Sequence, residues 1–169
     1  MATDNVDASV IAARAQLKGH FAEFSGGKRG EGWQKLWEAG DFLPWDRGIP
    51  NPALEDLLQD QDLLSGSLNP QAGKRRTALV PGCGRGVDVL LLKAFGYDAV
   101  GLEVSKDAVK ACLMHEEEHG GDEVYKTRNE IGQGAAKFVV GDFFDEEWIG
   151  DGVPQTFDLI YDYTVGFHS

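Results

Sequence analysis

Short apolar runs alternate with helical patterns from residue 77 to residue 165 of the chain. This alternation is typical of strands joined by helices in a parallel sheet. The predicted strands are 77–81, 98–104, 137–143 and 156–165, and the predicted helices between them are 87–95 and 106–119. A polar insertion at 120–135 precedes the third strand. The pattern therefore predicts an α/β fold whose strands run side by side in one sheet.

The part of the chain before residue 77 has a different pattern. Apolar side chains spaced three and four residues apart predict an amphipathic helix over 6–24. The segment 25–52 is rich in Gly, Trp and Pro and holds three of the four tryptophans. Beyond it, the pattern predicts a short helix over 53–64 and a polar linker over 65–76.

Composition and charge narrow the classes of function. The chain has 169 residues, enough for one domain with a buried core, and its 42% hydrophobic content excludes a disordered chain. Lys and Arg number 16 against 28 Asp and Glu, and the resulting net charge of −12 would repel a phosphate backbone. We therefore expect no nucleic-acid partner and a small or uncharged partner instead.

Three features bear on the compartment in which the chain works. Its first ten residues lack the basic and apolar regions of an export signal. No apolar run approaches the roughly 20 residues that span a bilayer. Cys83 and Cys112 are its only cysteines, so a disulfide framework is not expected. These features predict a cytoplasmic protein that does not cross a membrane.

A glycine-rich turn joins the first predicted strand to the next helix. It reads Pro81-Gly82-Cys83-Gly84-Arg85-Gly86, and glycines at such a turn let the backbone bend sharply and expose N–H groups to a ligand. Glu103 follows about 20 residues later, where an acid commonly accepts hydrogen bonds from ribose hydroxyls. The G-x-G-x-G spacing differs from the G-x-G-x-x-G of dinucleotide sites and resembles the turn around S-adenosylmethionine. The alternative is a tight turn followed by a solvated acid.

Two further groups of residues fit that ligand. Asp142 and Phe143 close the third predicted strand, where a carboxylate can accept a hydrogen bond from the adenine amino group and a phenyl ring can pack on adenine. Asp142 could instead cap a turn. Trp33 and Trp37 lie on one face of a predicted helix, Trp45 follows, and tryptophan is a strong cation–π partner for a sulfonium. Alternatively, the three tryptophans pack the N-terminal segment onto the core.

The run from His115 to His119 matches H-E-x-x-H, in which two histidines on one helix face bind zinc beside a glutamate base. The predicted helix ends directly after His119, and Glu116 rather than either histidine aligns with its apolar residues. Those residues are Ala108, Val109, Cys112 and Leu113. A solvated helix end is the preferred interpretation, so no metal site is predicted, and a zinc hydrolase is a remote alternative.

Four stretches together resemble the thiopurine S-methyltransferase superfamily, and most closely its plant and fungal thiol or halide methyltransferase branch. They read GWQKLWEAGDFLPWDRGIPNPAL, ALVPGCGRGVDVLLLKAFGYDAVGLEVS, FVVGDFF and FDLIYDY. The combination of W-x3-W and PWD with V-P-G-C-G-x-G-x-D is specific to this group. The resemblance implies a Rossmann-like class I S-adenosylmethionine-dependent methyltransferase, a three-layer αβα fold on a parallel sheet.

The resemblance also implies the cofactor contacts, carried over by matched motif. They are Trp33, Trp37 and Trp45 as a lid, Gly82 as the backbone contact in the turn, Glu103 as the ribose acid, Asp142 and Phe143 as the adenine contacts, and Tyr163 as the family tyrosine beyond the fourth strand. The implied cofactor is S-adenosyl-L-methionine. In this interpretation residues 1–52 form an N-terminal helix and a cofactor lid, and 53–169 form the cofactor-binding half of one domain.

The implied reaction transfers a methyl group to a small soft nucleophile: a thiol, hydrosulfide or halide. Such an acceptor needs little acid–base help, so no catalytic residue is predicted. Family members continue into elements that build the acceptor pocket, so we expect a C-terminally truncated splice or gene-model product without the last strands of the sheet. Two consequences stay open. One is an inactive cofactor-binding or interaction half-domain; the other is self-association through the edge of the fourth strand, with Leu159, Ile160 and Val165.

Overall fold

A parallel β-sheet forms the centre of the computed structural model, which describes residues 7–60, 68, 69, 74–128, 130 and 132–163. Two short 3-10 helices cover Gly26–Lys28 and Glu123–Tyr125. The other elements, in chain order, are α1 (Ala8–Ala22), α2 (Arg29–Ala39), α3 (Pro52–Gln59), β1 (Leu68–Asn69), β2 (Lys74–Arg75), β3 (Thr77–Pro81), α4 (Val87–Ala94), β4 (Asp98–Glu103), α5 (Lys106–His119), β5 (Ala136–Val140) and β6 (Leu159–Ile160).

The main sheet contains four strands in the order β5-β4-β3-β6. All three pairings are parallel; Thr77 lies opposite Asp98, and Ala99 lies opposite Ala136. Parallel neighbours require long crossover connections, and helices α4 and α5 lie in two of them. The predicted α/β fold with a parallel sheet is therefore confirmed.

Local signals set the ends of the helices. The Asn51 side chain accepts a hydrogen bond from Ala53 N at 3.0 Å and begins α3, and Ser105 Oγ accepts from Ala108 N at 3.2 Å and begins α5. Gly40, with φ +69°, ends α2 in the left-handed conformation that glycine adopts without strain. Among the helices in the described residues, none is long and apolar enough to cross a membrane.

The two faces of the sheet are covered in different ways. One face carries Ala78 and buries it against α3 and α4. The opposite face carries Leu79 and Val100, which pack on Trp148 in the segment 141–157. That segment forms turns and contains no helix. Helices therefore line one face, and a turn-rich segment with a buried tryptophan closes the other.

Strand β6 is much shorter than expected. The fourth strand was predicted over 156–165, yet only Leu159–Ile160 pairs with β3. Just before it, Asp158 N donates to Thr77 O at 3.1 Å, and Asp158 Oδ2 accepts hydrogen bonds from Thr77 N at 2.8 Å and Thr77 Oγ1 at 3.1 Å, so a side chain takes the Thr77 N–H group there. Val165, expected at the edge of this strand, lies outside the described residues.

Other boundaries also differ from the prediction. The expected polar linker contains the antiparallel pair β1 and β2. Helix α3 ends at Gln59, and the predicted continuation over 61–64 lies outside the described residues. Strand β5 ends at Val140 rather than at residue 143, because Asp142 Oδ1 accepts a hydrogen bond from Phe144 N at 2.9 Å and turns the chain.

The predicted buried face of α5 was wrong at its C-terminal half. Leu113 is 55% exposed, whereas His115 is buried. The reason is the insertion at 120–135, which places Tyr125 against the helix with its hydroxyl 3.0 Å from His115 Nε2. Glu116 instead forms an ion pair with Lys93, with 2.6 Å between Oε1 and Nζ. The polar insertion thus supplies Tyr125 as the buried partner of His115, which the pattern of the helix alone did not predict.

We expect the chain to self-associate through β6. Among the described residues, β6 pairs with β3 on one side and with no strand on the other, and Ile160 is 54% exposed. An open strand edge beside an apolar side chain favours pairing between chains. Sedimentation velocity at increasing concentration should show association, and Ile160→Lys should reduce it.

The matched control for this edge is Leu113→Lys, because Leu113 is as exposed as Ile160 but lies on a helix. A monomer at every concentration, or equal effects of the two substitutions, would show that the β6 edge does not mediate association.

Candidate functional site

A cavity of about 430 Å³ lies at the carboxyl ends of β3, β4 and β5. In parallel α/β sheets this end of the strands is where ligands bind. The cavity brings together most of the predicted site residues, namely Trp33, Trp37, Trp45, Gly82, Glu103, Asp142 and Phe143. Tyr163 does not line it and is 59% exposed. Sequence positions from four separate stretches therefore converge on one space.

The glycine turn after β3 has the backbone conformation that its composition predicts. Gly82, Gly84 and Gly86 have φ values of +59°, +55° and +77°, in the left-handed region that favours glycine. At Gly86 space is also restricted, because an added Cβ would lie 2.6 Å from Phe138 Cε1. At Gly84 an added Cβ would lie 3.6 Å from Trp37. The absence of a side chain at Gly86 thus leaves space for Phe138 in the core, and Gly84 lies against Trp37 at the cavity.

Three N–H groups of the glycine turn donate to acceptors within the protein, at Cys83, Gly84 and Gly86. Cys83 N donates to Leu102 O at 3.2 Å, Gly84 N donates to Glu103 Oε2 at 3.0 Å, and Gly86 N donates to Cys83 O at 2.9 Å. The Glu103 carboxylate points back at the turn and accepts the Gly84 N–H group. At Gly84 the turn therefore offers a ligand a surface without a side chain rather than a free donor.

Glu103 is a buried carboxylate held by backbone donors. Its Oε1 accepts a hydrogen bond from Val104 N at 2.9 Å, in addition to the bond from Gly84 N to Oε2. Burial raises the pKa of Glu103 above its ordinary value, and the backbone donors of Gly84, Ser105 and Val104 oppose that rise. A carboxylate has about four lone-pair positions, so it can still accept hydroxyl protons from a ligand.

The three predicted tryptophans form one aromatic cluster. Trp33 and Trp37 project from α2, and the Trp45 ring lies edge-on to Trp33 with ring centroids 5.1 Å apart. The Trp37 and Trp45 centroids are 6.4 Å apart. Trp37 is buried, while the other two are half-buried. The three tryptophans therefore pack on one another and also line the cavity. We call residues 29–48, which carry all three, the tryptophan lid.

Helix α2 is fastened to the start of α5. Ser105 Oγ donates to Gln34 Oε1 at 2.9 Å, and Gln34 Nε2 donates to Asp107 Oδ2. Gly30 permits a close approach, because an added Cβ there would lie 2.9 Å from a Val104 methyl. The contacts of Gln34 and Gly30 hold the first two turns of α2 beside Glu103.

Asp142 and Phe143 lie on the open side of the cavity. Asp142 Oδ1 caps the turn after β5 through Phe144 N, so the alternative role weighed for this carboxylate is present. The side chain is exposed and lines the cavity as well. Phe144, which was not predicted as a site residue, also lines the cavity and lies beside Phe143 with ring centroids 5.5 Å apart.

Several lining residues were missed by sequence reasoning. The run Gly26-Gly27-Lys28-Arg29-Gly30 contributes four of its five residues to the cavity, and its glycine pattern was a visible signal. Leu17 on α1 lines the cavity only because that helix folds back over α2, and no local pattern indicated this. Leu102, Val104 and Gly141 flank residues that were predicted.

The H-E-x-x-H run does not form a metal centre in the described part of the chain. His115 is buried against Tyr125, and His119 Nδ1 lies 3.0 Å from Asp122 Oδ2. No group of three or more His, Cys, Asp or Glu side chains among the described residues is placed to hold a metal ion. The zinc hydrolase alternative therefore has no observation in its favour.

Comparison with known proteins identifies the family. The model of the family described as thiopurine S-methyltransferase matches residues 28–166, which include the tryptophan lid, the glycine turn and β3 to β6. The chain belongs to the thiopurine S-methyltransferase family. The resemblance drawn from the four sequence stretches is thereby confirmed, and the family implies a methyl donor of the S-adenosylmethionine type.

Two plant proteins are among the relatives that are similar to this chain. "Probable thiol methyltransferase 2" of Arabidopsis thaliana is 35% identical over 133 residues, covering 79% of this chain and 47% of the relative. "Thiocyanate methyltransferase 1" of Brassica oleracea is 34% identical over 134 residues, with the same coverage of 79% and 47%. The chain thus spans about half the length of the curated relatives it matches.

A solved structure also shares the fold. It is described as "Conversion of a Disulfide Bond into a Thioacetal Group during Echinomycin Biosynthesis" and matches with a TM-score of 0.57 and 25% sequence identity. The match covers 81% of this chain and 47% of that structure's chain. The parallel sheet with flanking helices therefore has a counterpart in an experimentally determined protein.

Gly86→Ala tests the turn that connects β3 to α4. We expect a loss of about 2 to 4 kcal/mol in the free energy of unfolding, because the substitution adds strain at positive φ and a clash with Phe138. Urea unfolding followed by circular dichroism measures it. Gly121→Ala is the matched control, since nothing lies within 4 Å of its added Cβ. Equal effects of the two substitutions would contradict this account of the turn.

His115 should make stability pH-dependent. Burial, followed by the neighbouring His119 and Arg85, lowers the pKa of His115 below its ordinary value of 6.5. The unfolded chain then binds the proton more tightly, so the free energy of unfolding should fall as the pH drops below 6.5. Urea unfolding at several pH values should show a smaller fall in His115→Gln. His20→Gln, at a histidine that is not among the groups acting on His115, serves as control, and an unchanged slope in His115→Gln would refute the assignment.

Proposed function

We propose that this chain binds S-adenosyl-L-methionine in the 430 Å³ cavity and takes part in methyl transfer to a small soft nucleophile. The observation that carries the proposal is the convergence of the tryptophan lid, the glycine turn and Glu103 on one cavity, in a chain of the thiopurine S-methyltransferase family. We further propose that residues 1–52 form an N-terminal helix and the cofactor lid, and that 53–169 form the cofactor-binding half of the domain.

The described residues fit such a cofactor. The cavity volume falls within the roughly 300–1,000 Å³ of small-molecule sites. The left-handed glycines Gly82 and Gly84 give it a wall without Cβ atoms, against which a bulky ligand can lie. Glu103 retains acceptor capacity for ribose hydroxyls, and the second oxygen of Asp142 can accept from an adenine amino group while Oδ1 caps the turn.

The aromatic residues have the remaining roles. Phe143 would pack on the adenine ring, and the three rings of the tryptophan lid would face the sulfonium. Tryptophan faces attract a cation and exclude water from it, and desolvation raises the reactivity of a nucleophile nearby. When bound, the cofactor supplies an electrophilic methyl group on sulfur. The chain's own contribution in this proposal is alignment and exclusion of water.

No side chain is proposed as a general base. A thiol with a pKa near ~8.5 is partly ionised at neutral pH, and a halide has no proton to lose. The catalytic residue therefore stays unassigned. Tyr163, which matches the family tyrosine, is proposed as a cofactor contact on that match alone, since it lies outside the lining of the cavity.

The class of acceptor is supported by the relatives and by charge. Two relatives are named for thiol and thiocyanate, both sulfur nucleophiles, which supports a small sulfur acceptor for this chain as well. The net charge of −12 disfavours a nucleic-acid acceptor. We also propose a reducing cytoplasm as the compartment, because the chain has two cysteines, too few for a disulfide framework.

Calorimetric titration with S-adenosylhomocysteine tests the cofactor site. We expect saturable binding, which Glu103→Ala weakens about 10- to 100-fold because it removes a charged acceptor. Glu117→Ala, at an exposed glutamate on α5, is the matched control and should bind as the unsubstituted chain does. A folded chain that shows no binding, or equal losses in the two variants, would overturn the proposed site.

The same protein, supplied with S-adenosylmethionine and a thiol, hydrosulfide or halide, tests the transfer itself. Methylated product, measured by gas chromatography, is the expected result. Binding of S-adenosylhomocysteine without turnover on any of these acceptors would confine the function of this chain to cofactor binding.

A further inference from the structure

An ion pair crosses from the tryptophan lid to the glycine turn. Arg85 Nε donates to Asp46 Oδ2 at 2.7 Å, and Arg85 Nη2 lies 2.5 Å from the same oxygen. The Asp46 side chain is 9% exposed and the Arg85 side chain 33% exposed. Charged hydrogen bonds that are shielded from water in this way are stronger than those on an open surface. This pair therefore differs from ordinary surface ion pairs.

The pair is attached on both sides to residues of the cavity. Asp46 directly follows Trp45, and its Oδ1 also accepts a hydrogen bond from Gly48 N at 3.1 Å, which holds the local turn. The Arg85 guanidinium carbon lies 5.8 Å from the Trp37 ring centroid, within cation–π range. One guanidinium thus contacts the carboxylate beside Trp45 and the face of Trp37.

This contact fastens a different part of the lid from the contact made by Gln34. Gln34 holds the first turns of α2 to Ser105 and Asp107 on α5. Asp46 lies after the end of α2 at Ala39, in a segment without helix or strand. Loss of the ion pair would therefore release Trp45 while the first turns of α2 stay docked.

The ion pair also separates two cavities. Trp37 and Trp45 face the 430 Å³ cavity. Asp46 and Arg85 line a second, polar cleft of about 420 Å³ with residues of α5. Arg47, His115, Glu118 and His119 are the other charged or titratable residues of that cleft. The ion pair thus faces the polar cleft, whereas the aromatic rings lie on its other side.

We propose that the Asp46–Arg85 ion pair is a latch that holds the tryptophan lid closed over the cofactor cavity. Asp46 and Arg85 are positioning residues, since they act through Trp45 and Trp37 and do not line the cavity themselves. The proposal rests on the proposed function for its ligand, but the latch is a property of the chain that exists without ligand. It assigns a role to two charged residues that the cofactor contacts leave unexplained.

The first test uses the ligand-free chain. Hydrogen exchange measured by mass spectrometry should show faster exchange over 40–48 in Asp46→Asn and Arg85→Gln than in the unsubstituted chain. Arg85→Lys keeps the charge and should keep more of the protection than Arg85→Gln does. The matched control is Lys93→Gln, which breaks the Lys93–Glu116 ion pair away from the cavity and should leave 40–48 unchanged.

The second test measures binding. S-adenosylhomocysteine should bind about tenfold more weakly to Asp46→Asn, a loss equivalent to about 1.4 kcal/mol, and Lys93→Gln should bind normally. S-adenosylmethionine should lose more affinity than S-adenosylhomocysteine, because only the former carries the sulfonium that the tryptophans attract. A uniform loss of fold would lower both affinities equally and would reduce cooperative unfolding in circular dichroism.

The outcomes separate the two proposals. If the unsubstituted chain binds neither ligand, the proposed function fails, and exchange over 40–48 still decides whether the latch exists. Unchanged exchange in both Asp46→Asn and Arg85→Gln would overturn the latch. Faster exchange together with unchanged affinities would show that the ion pair orders the segment but does not position the tryptophans for ligand, which would also overturn the proposal.

Discussion

The hydrogen bond from Gly84 N to the Glu103 carboxylate is the contact on which the rest of the site depends. A buried carboxylate requires donors, and the donors here come from the backbone where β3 and β4 end side by side. To present Gly84 N to Glu103, the turn must adopt positive φ at its glycines. The resulting surface has no side chain at Gly84, and Trp37 lies next to it and lines the cavity, 3.6 Å from where a Cβ would be. The carboxylate, the turn and the lid are thus one connected arrangement.

This arrangement has an energetic consequence for the ligand-free protein. Burial raises the pKa of Glu103, which means that the charged form is less stable there than in water. Backbone donors offset part of that cost, and ribose hydroxyls would offset more, since each would supply a further hydrogen bond to a carboxylate that already lies in place. Under the proposed function, Glu103 is thus a preorganised acceptor that a ligand would stabilise further, and binding would raise the stability of the fold by mass action.

Much of the fold could be predicted because its signals are local. Apolar runs that end in glycine or in a capping Ser105 define β3, α4, β4 and α5 in consecutive order along the chain. The errors arise where a partner comes from another segment of the chain. His115 is buried because Tyr125 packs on it from an insertion that looked polar, and the Asp158 side chain accepts the Thr77 N–H group at the start of β6. Hydrophobic periodicity and secondary-structure propensity describe one segment by itself. They therefore do not predict contacts between segments.

The same distinction holds for the site. Residues at strand ends, such as Glu103 and Asp142, were found because a parallel sheet brings its strand ends together whatever the loops do. The Asp46–Arg85 pair joins positions 39 residues apart, on segments that the sequence marked only as a lid and a turn. Every sequence contains many acidic and basic side chains, and only the fold shows which of them form ion pairs. The proposed cofactor contacts could thus be inferred from motifs, whereas the Asp46–Arg85 contact required the three-dimensional structure.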